Sequence, residues 1–219
     1  LAPDAAILDP RLLVSLPPRL TAGTGLDAIT HCLEAIGAVA TSSPFSDALS
    51  LEALRLLFTH LPRATAAGDD IEARSATLVA STMAGLAFTN AGVGIVHAMA
   101  HATGARFGTH HGMTNAVYLP YGLEFNSDVL ADKYAYTARY LGISNAKEAA
   151  GGAADLIDAV RRLTEQCGLP GRLKGLGVPE ISETELEELA NQAITDPAIM
   201  FNAKEATIDD IIEIYKRAY

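Results

Sequence analysis

Positive charge is scarce in this sequence. Sixteen Lys and Arg stand against 26 Asp and Glu, a formal net charge of −10 over 219 residues. No dense Lys/Arg run occurs, so the electrostatic footprint of a nucleic-acid binder is missing and no nucleic-acid partner is expected. Tryptophan is absent and there are only two cysteines, Cys32 and Cys167. Two isolated thiols do not make a disulfide scaffold; they suggest a reducing compartment and hence a cytoplasmic location. There is no uncharged, His-free apolar run of about 18 residues, so neither a membrane span nor a membrane partner is expected. The opening LAPDAAILDPRLL has no basic n-region and no h-region, so it is not a signal peptide. It also lacks an initiator Met and reads like a chain joined midway. No G-x-S-x-G nucleophile elbow occurs, and no alternating runs between turns argue for a sheet.

Helical pattern is what the sequence has in quantity. Prolines 10, 17 and 18 keep the opening from being one long helix, so residues 1–22 read as an extended segment or linker. From about residue 23 to 219 the pattern is helical almost throughout. Leu26, Ile29, Leu33 and Ile36 fall at helical spacing. Ser43 reads as an N-cap with Pro44 at the first helical position. Ser182 with Glu185 and Thr207 with Asp210 have capping-box spacing. Residues 168–180 form the clearest loop. The expectation is an all-α domain of roughly eight to ten helices.

Four of the six histidines crowd into GIVHAMAHATGARFGTHHG, residues 94–112. A solvated helix face, satisfied core histidines and a metal site are the competing readings. His97 and His101 share one helix face at spacing four. His110 and His111 are adjacent, so at most one faces the same point. Upstream, Asp27 and His31 repeat the spacing inside an apolar helix, where a carboxylate is costly unless paired or coordinated. One carboxylate and three imidazoles would suit Fe(II) or Zn(II) with room for a substrate oxygen. Cys32 reads as a small core residue and His60 as structural or exposed beside a Pro break; Glu34, near the Asp27/His31 face, reads as solvated or helix-pairing in preference to a support for the ligands.

The stretches TAGTGLDAITHCLEAI, GVGIVHAMAHATGARFGTHHGMTNAVYLPYGLEFN and EATIDDIIEIYKRAY resemble the C-terminal half of the iron-containing (group III) alcohol dehydrogenases, over essentially the whole sequence. In that family a Rossmann-like domain binds NAD(P), and an all-helical domain of the dehydroquinate synthase-like type holds a metal through one Asp and three His. The resemblance implies Asp27, His31, His97 and His111 as ligands of Fe2+ or Zn2+. It places His101 at the substrate and nicotinamide, and Leu20 at the edge of the nicotinamide pocket. His110 stands where family members have Pro. Related maleylacetate reductases tend to lose the Asp/His set, so Asp27 and His31 argue against that branch.

The dinucleotide fingerprint, a strand followed by a Gly-rich turn opening a helix, is not found in these 219 residues. The implied activity is oxidation of an alcohol or reduction of an aldehyde, the metal polarising the oxygen during NAD(P)-dependent hydride transfer. The expected partners are a small alcohol or aldehyde and a nucleotide-binding domain, or self-association through the exposed cleft face. A metal-dependent hydrolase of esters or lactones and a non-catalytic helical module are the alternatives.

Overall fold

A computed structural model describes residues 3–219; Leu1 and Ala2, the start of the expected opening segment, lie outside it. The described residues form eight α-helices and three short 3-10 turns, with no strand. The helices are α1 (Pro18–Gly37), α2 (Pro44–Ala66), α3 (Ile71–Ala91), α4 (Ile95–Phe107), α5 (His111–Tyr140), α6 (Ala149–Gln166), α7 (Glu183–Thr195) and α8 (Ile208–Ala218).

The first helix begins five residues earlier than the pattern suggested. Pro17 occupies the N-cap and Pro18 the first helical position, where a missing N–H costs nothing and the fixed φ already suits a helix. The segment before it is not wholly extended, because Pro10–Leu13 form a 3-10 turn capped by Asp9. Proline is also tolerated further in. Pro62 does not break α2, which runs on to Ala66, and α5 passes through Pro120. Tertiary packing offsets the lost backbone bond in both.

Helix α1 is the hub. Fourteen of its 20 residues are buried, the composition of a helix with protein on every side. It packs against α2, α3 and α5; α2 pairs with α3, α5 with α6, and α4 lies against α5 and α7. One continuous apolar core, with Leu26, Ile29, Leu33, Leu54, Leu57, Met99 and Tyr118 fully buried, runs through these contacts. The expected capping boxes at Ser182/Glu185 and Thr207/Asp210 are present, and Ser43 caps α2 with Ser46 as its reciprocal partner. Cys32 and Cys167 are free and buried. No single described helix is long and apolar enough to cross a membrane; α3 and α4 together would be, but the chain bends by 105° between them.

That bend and the next one place the histidines. Gly108 adopts φ 67°, a left-handed conformation open to glycine, and turns the chain out of α4 toward α5. Helix α5 then starts in direct contact with α1: a Cβ on Gly112 would lie 2.4 Å from the carbonyl oxygen of Gly23. Only a glycine lets the two backbones come this close, one residue from His111 and opposite Asp27.

Candidate metal centre

Three helices each contribute a pair of residues four apart: Asp27 and His31 from α1, His97 and His101 from α4, His111 and Asn115 from α5. Asp27, His97 and His111 each offer a ligand atom, and all three atoms lie within 4.8 Å of one another. The Asp27 Oδ1 atom is the meeting point. It stands 3.4 Å from His111 Nε2 and 3.8 Å from His97 Nε2, and accepts a hydrogen bond from Asn115 Nδ2 at 2.6 Å. Asn115 Nδ2 also donates to His111 Nε2 at 3.1 Å. His97 is 3% exposed, whereas His111 is 42% exposed, so the cluster is buried on one side and open on the other.

The tautomer of His97 is set from outside the cluster. Glu34, buried on α1, uses Oε2 to take the Nδ1 proton of His97 in a 2.5 Å hydrogen bond and Oε1 to accept the Val96 amide at 2.8 Å. Val96 lies in the first turn of α4, which has no side-chain N-cap of its own. One carboxylate therefore caps a helix end and orients a histidine. With its proton on Nδ1, His97 presents a bare Nε2 that is buried without a hydrogen-bond partner. A partnerless imidazole lone pair facing a second imidazole nitrogen and a carboxylate oxygen is a donor set suited to a cation. The residues present thus fit a divalent metal.

Glu34 therefore takes the second of the two roles its sequence position allows, supporting a ligand and not facing solvent. Its spacing held a signal: 27, 31 and 34 follow i, i+4, i+7 on one face of α1. Asn115 was not anticipated, although it stands one turn beyond His111.

The other expected site residues divide. His111, and not its neighbour, joins the cluster; His110 is the exposed N-cap of α5. His31 is adjacent but not among the three converging ligands. Its ring is sandwiched between Phe88, at 4.3 Å between centroids, and His97, at 4.6 Å. His101 lies at the open side, stacked on His111 at 5.3 Å and bonded through Nδ1 to Asp196 Oδ2 at 2.9 Å. Leu20 is half-buried on α1 and packs against the main core. His60 sits half-buried on α2, outside the cluster.

Electrostatics separates the imidazoles. Burial, reinforced by neighbouring His97, pushes His31 down to about 4. Burial also lowers His111. Burial acts the same way on His97, but the Glu34 carboxylate outweighs it and the net direction is upward.

Comparison with known proteins agrees with this geometry. The profile of the Fe-containing alcohol dehydrogenase family, C-terminal, matches residues 21–219. An alcohol dehydrogenase of Thermococcus barophilus is 39% identical over the whole chain, which covers 55% of that protein. An NAD-dependent methanol dehydrogenase of Bacillus methanolicus is 37% identical, again over the whole chain and 56% of the relative. A crystal structure of 1,3-propanediol oxidoreductase superposes with a TM-score of 0.91 at 36% identity, over 96% of this chain and 55% of that one. The iron-containing alcohol dehydrogenase of Thermococcus thioreducens superposes at 0.87 with 41% identity, over 100% and 55%. The chain thus spans about half the length of the relatives it matches. Matched over residues 21–219 and carrying an Asp/His/His cluster at the junction of α1, α4 and α5, the chain belongs to the Fe-containing alcohol dehydrogenase family, to the C-terminal part of it.

Proposed function

We propose that this chain supplies the metal-binding half of an NAD(P)-dependent oxidoreductase acting on a small alcohol or aldehyde. The observation that carries the reading is the buried, partnerless Nε2 of His97 facing Asp27 and His111. Asp27, His97 and His111 would hold the ion, with His31 as fourth ligand once its ring leaves the Phe88 stack. Imidazole suits both Fe(II) and Zn(II), so the residues do not choose between them. Such an ion, when bound, supplies Lewis-acid polarisation of an alcohol or aldehyde oxygen.

The chain's own residues do the rest. Glu34 keeps the His97 proton away from the cluster, and Asn115 holds the Asp27 oxygen in place. His101, half-exposed at the open side, would be the side chain to meet a substrate hydroxyl; its exposure beside His111 supports that role. The described residues do not contain a dinucleotide's pyrophosphate site: they have no strand and no Gly-rich turn leading from one into a helix. Leu20 offers an apolar edge on α1 and no charge. A second, nucleotide-binding unit is accordingly part of the proposal.

Metal analysis tests it. The chain reconstituted with Fe2+ or Zn2+ and freed of excess ion should retain one ion per chain. His97→Ala and Asp27→Ala should each abolish retention while His110→Ala preserves it. Equal stoichiometry in all four proteins would sink the assignment. Metal-dependent ester or lactone cleavage without cofactor would instead favour a hydrolase.

A further inference from the structure

Asp196 lies 95 residues from His101 in sequence and belongs to none of the three helices that build the cluster. It closes α7 and opens the 3-10 turn Pro197–Phe201, where its Oδ1 accepts the Ala198 amide at 2.8 Å. Its other oxygen, Oδ2, is 2.9 Å from His101 Nδ1. Asp followed by Pro is a capping signal in any sequence, and a cap needs only one oxygen. The second is aimed at a histidine on α4, which packs against both α7 and this turn.

An ionised carboxylate can only accept, so the proton in this bond sits on Nδ1 of His101. In a neutral imidazole the other nitrogen, Nε2, then keeps its lone pair. Nε2 has no hydrogen-bond partner among the described residues, the side chain is 45% exposed, and the ring lies face to face with that of His111, tilted by 16°. His97 is held the same way, by Glu34 at Nδ1. Both histidines of α4 are therefore locked through Nδ1 by carboxylates from different elements, and both leave Nε2 free.

We infer that Asp196 is a positioning residue: it fixes His101 in the Nδ1–H tautomer, so that Nε2 stands beside the metal cluster as a ready hydrogen-bond acceptor for a substrate hydroxyl. The identity of that hydroxyl rests on the alcohol oxidoreductase reading; the tautomer does not. With the tautomer set in advance, an incoming O–H meets an acceptor and no proton has to move between ring nitrogens first. Without Asp196 the ring is free to carry its proton on Nε2, which would oppose a donor with a donor.

Asp196→Asn separates this role from capping. Asparagine is as good a helix-type cap as aspartate, so its Oδ1 keeps the Ala198 bond. Its amide group, placed where Oδ2 was, can only donate and therefore favours a bare Nδ1, moving the ring proton to Nε2. The measurement is two-bond 1H–15N correlation NMR of the full 219-residue chain, metal-free, at about pH 8, above the ordinary imidazole range. His101 in the parent chain should show a protonated Nδ1 and a pyridine-type Nε2, and Asp196→Asn should exchange the two patterns. Asp196→Ser, which retains a capping oxygen but is too short to reach the ring, should leave a mixture and stands in if the Asn variant does not fold. A parent chain already carrying the proton on Nε2, or a variant whose His101 pattern is unchanged, would overturn the inference. No metal or dinucleotide enters the measurement, so its outcome is independent of whether the protein acts on alcohols.

Discussion

Glu34 joins two tasks in one side chain: the Val96 amide on one oxygen and the His97 Nδ1–H on the other. Glu34→Gln would keep the first and reverse the second. The amide oxygen still accepts from Val96, but the amide nitrogen donates to Nδ1 and drives the imidazole proton to Nε2, the atom that faces Asp27. The expected result is about a 10–100-fold loss of metal affinity, the usual scale for removing a histidine's carboxylate partner. Helical circular dichroism should be unchanged, and competition with a chelator measures the loss. Undiminished affinity would mean that His97 does not bind through Nε2. Asn115→Leu tests the other support. It removes the donor to Asp27 Oδ1, an oxygen whose second lone pair stays open to the ion, and should weaken binding by about tenfold; the Asn115 bond to His111 Nε2 is one that the ion displaces. Of the four expected ligands, Asp27, His97 and His111 converge and His31 does not; the spacing of four marks Asp27 and His97 with their neighbours one turn on, while His111 comes only from the family resemblance. Of their supports, Glu34 was legible only as the weaker alternative and Asn115 not at all: a Glu or an Asn inside a helix reads as solvated until one knows that the start of α4 lands on α1 and that α5 begins opposite Asp27. Only tertiary structure decides either.

Glycines illustrate the same divide at the level of elements. Gly112 and Gly85 both lie within helices, where Ala is ordinarily better by about 0.5–1 kcal/mol. A Cβ at Gly85 meets nothing within 4 Å, so Gly85→Ala should stabilise the protein by about that amount. A Cβ at Gly112 would stand 2.4 Å from the Gly23 carbonyl oxygen and 3.0 Å from Asp27 Cβ. Backbone cannot yield as a side-chain tip can, so α5 must move away from α1. Gly112→Ala should therefore cost about 1–3 kcal/mol, the scale of overpacking, and displace His111 enough to weaken metal binding. Urea denaturation of the two variants against the parent reads both signs; stabilisation by Gly112→Ala would show that α1 and α5 are not in close register. The helix starts with reciprocal caps, at Ser182 and Thr207, were visible in the sequence because such signals are local. The start of α1 at Pro18 and the passage of α2 through Pro62 were not, since burial of a helix face against its neighbours overrides a local breaker.

For the whole molecule, metal and pH act through the same histidines. His31 is held down to about 4 from an ordinary 6.5. Between those values the unfolded chain binds more protons than the folded one, so this group's contribution is complete above about 6.5 and is lost as pH falls toward 4. His111 is lowered as well and acts in the same direction. His97 is raised, so its contribution is present below 6.5 and is lost as pH rises through its folded value. The metal-free fold is therefore stabilised by a proton on His97 and destabilised by protons on the other two. A bound metal takes the place of that proton, and every ligand must be deprotonated to hold it. The stabilisation added by metal should thus be smaller at about pH 5.5 than at about pH 8, and should grow as His97 gives up its proton. At a hundredfold excess over Kd, mass action gives about 2.7 kcal/mol. For a chain of this length that corresponds to a rise in Tm of roughly 5–10 °C. Thermal melts with Zn2+ and with chelator, at the two pH values, measure the difference directly. A gap equal at both would show that His97 does not release a proton on binding, and no gap at pH 8 would mean that the cluster holds no ion.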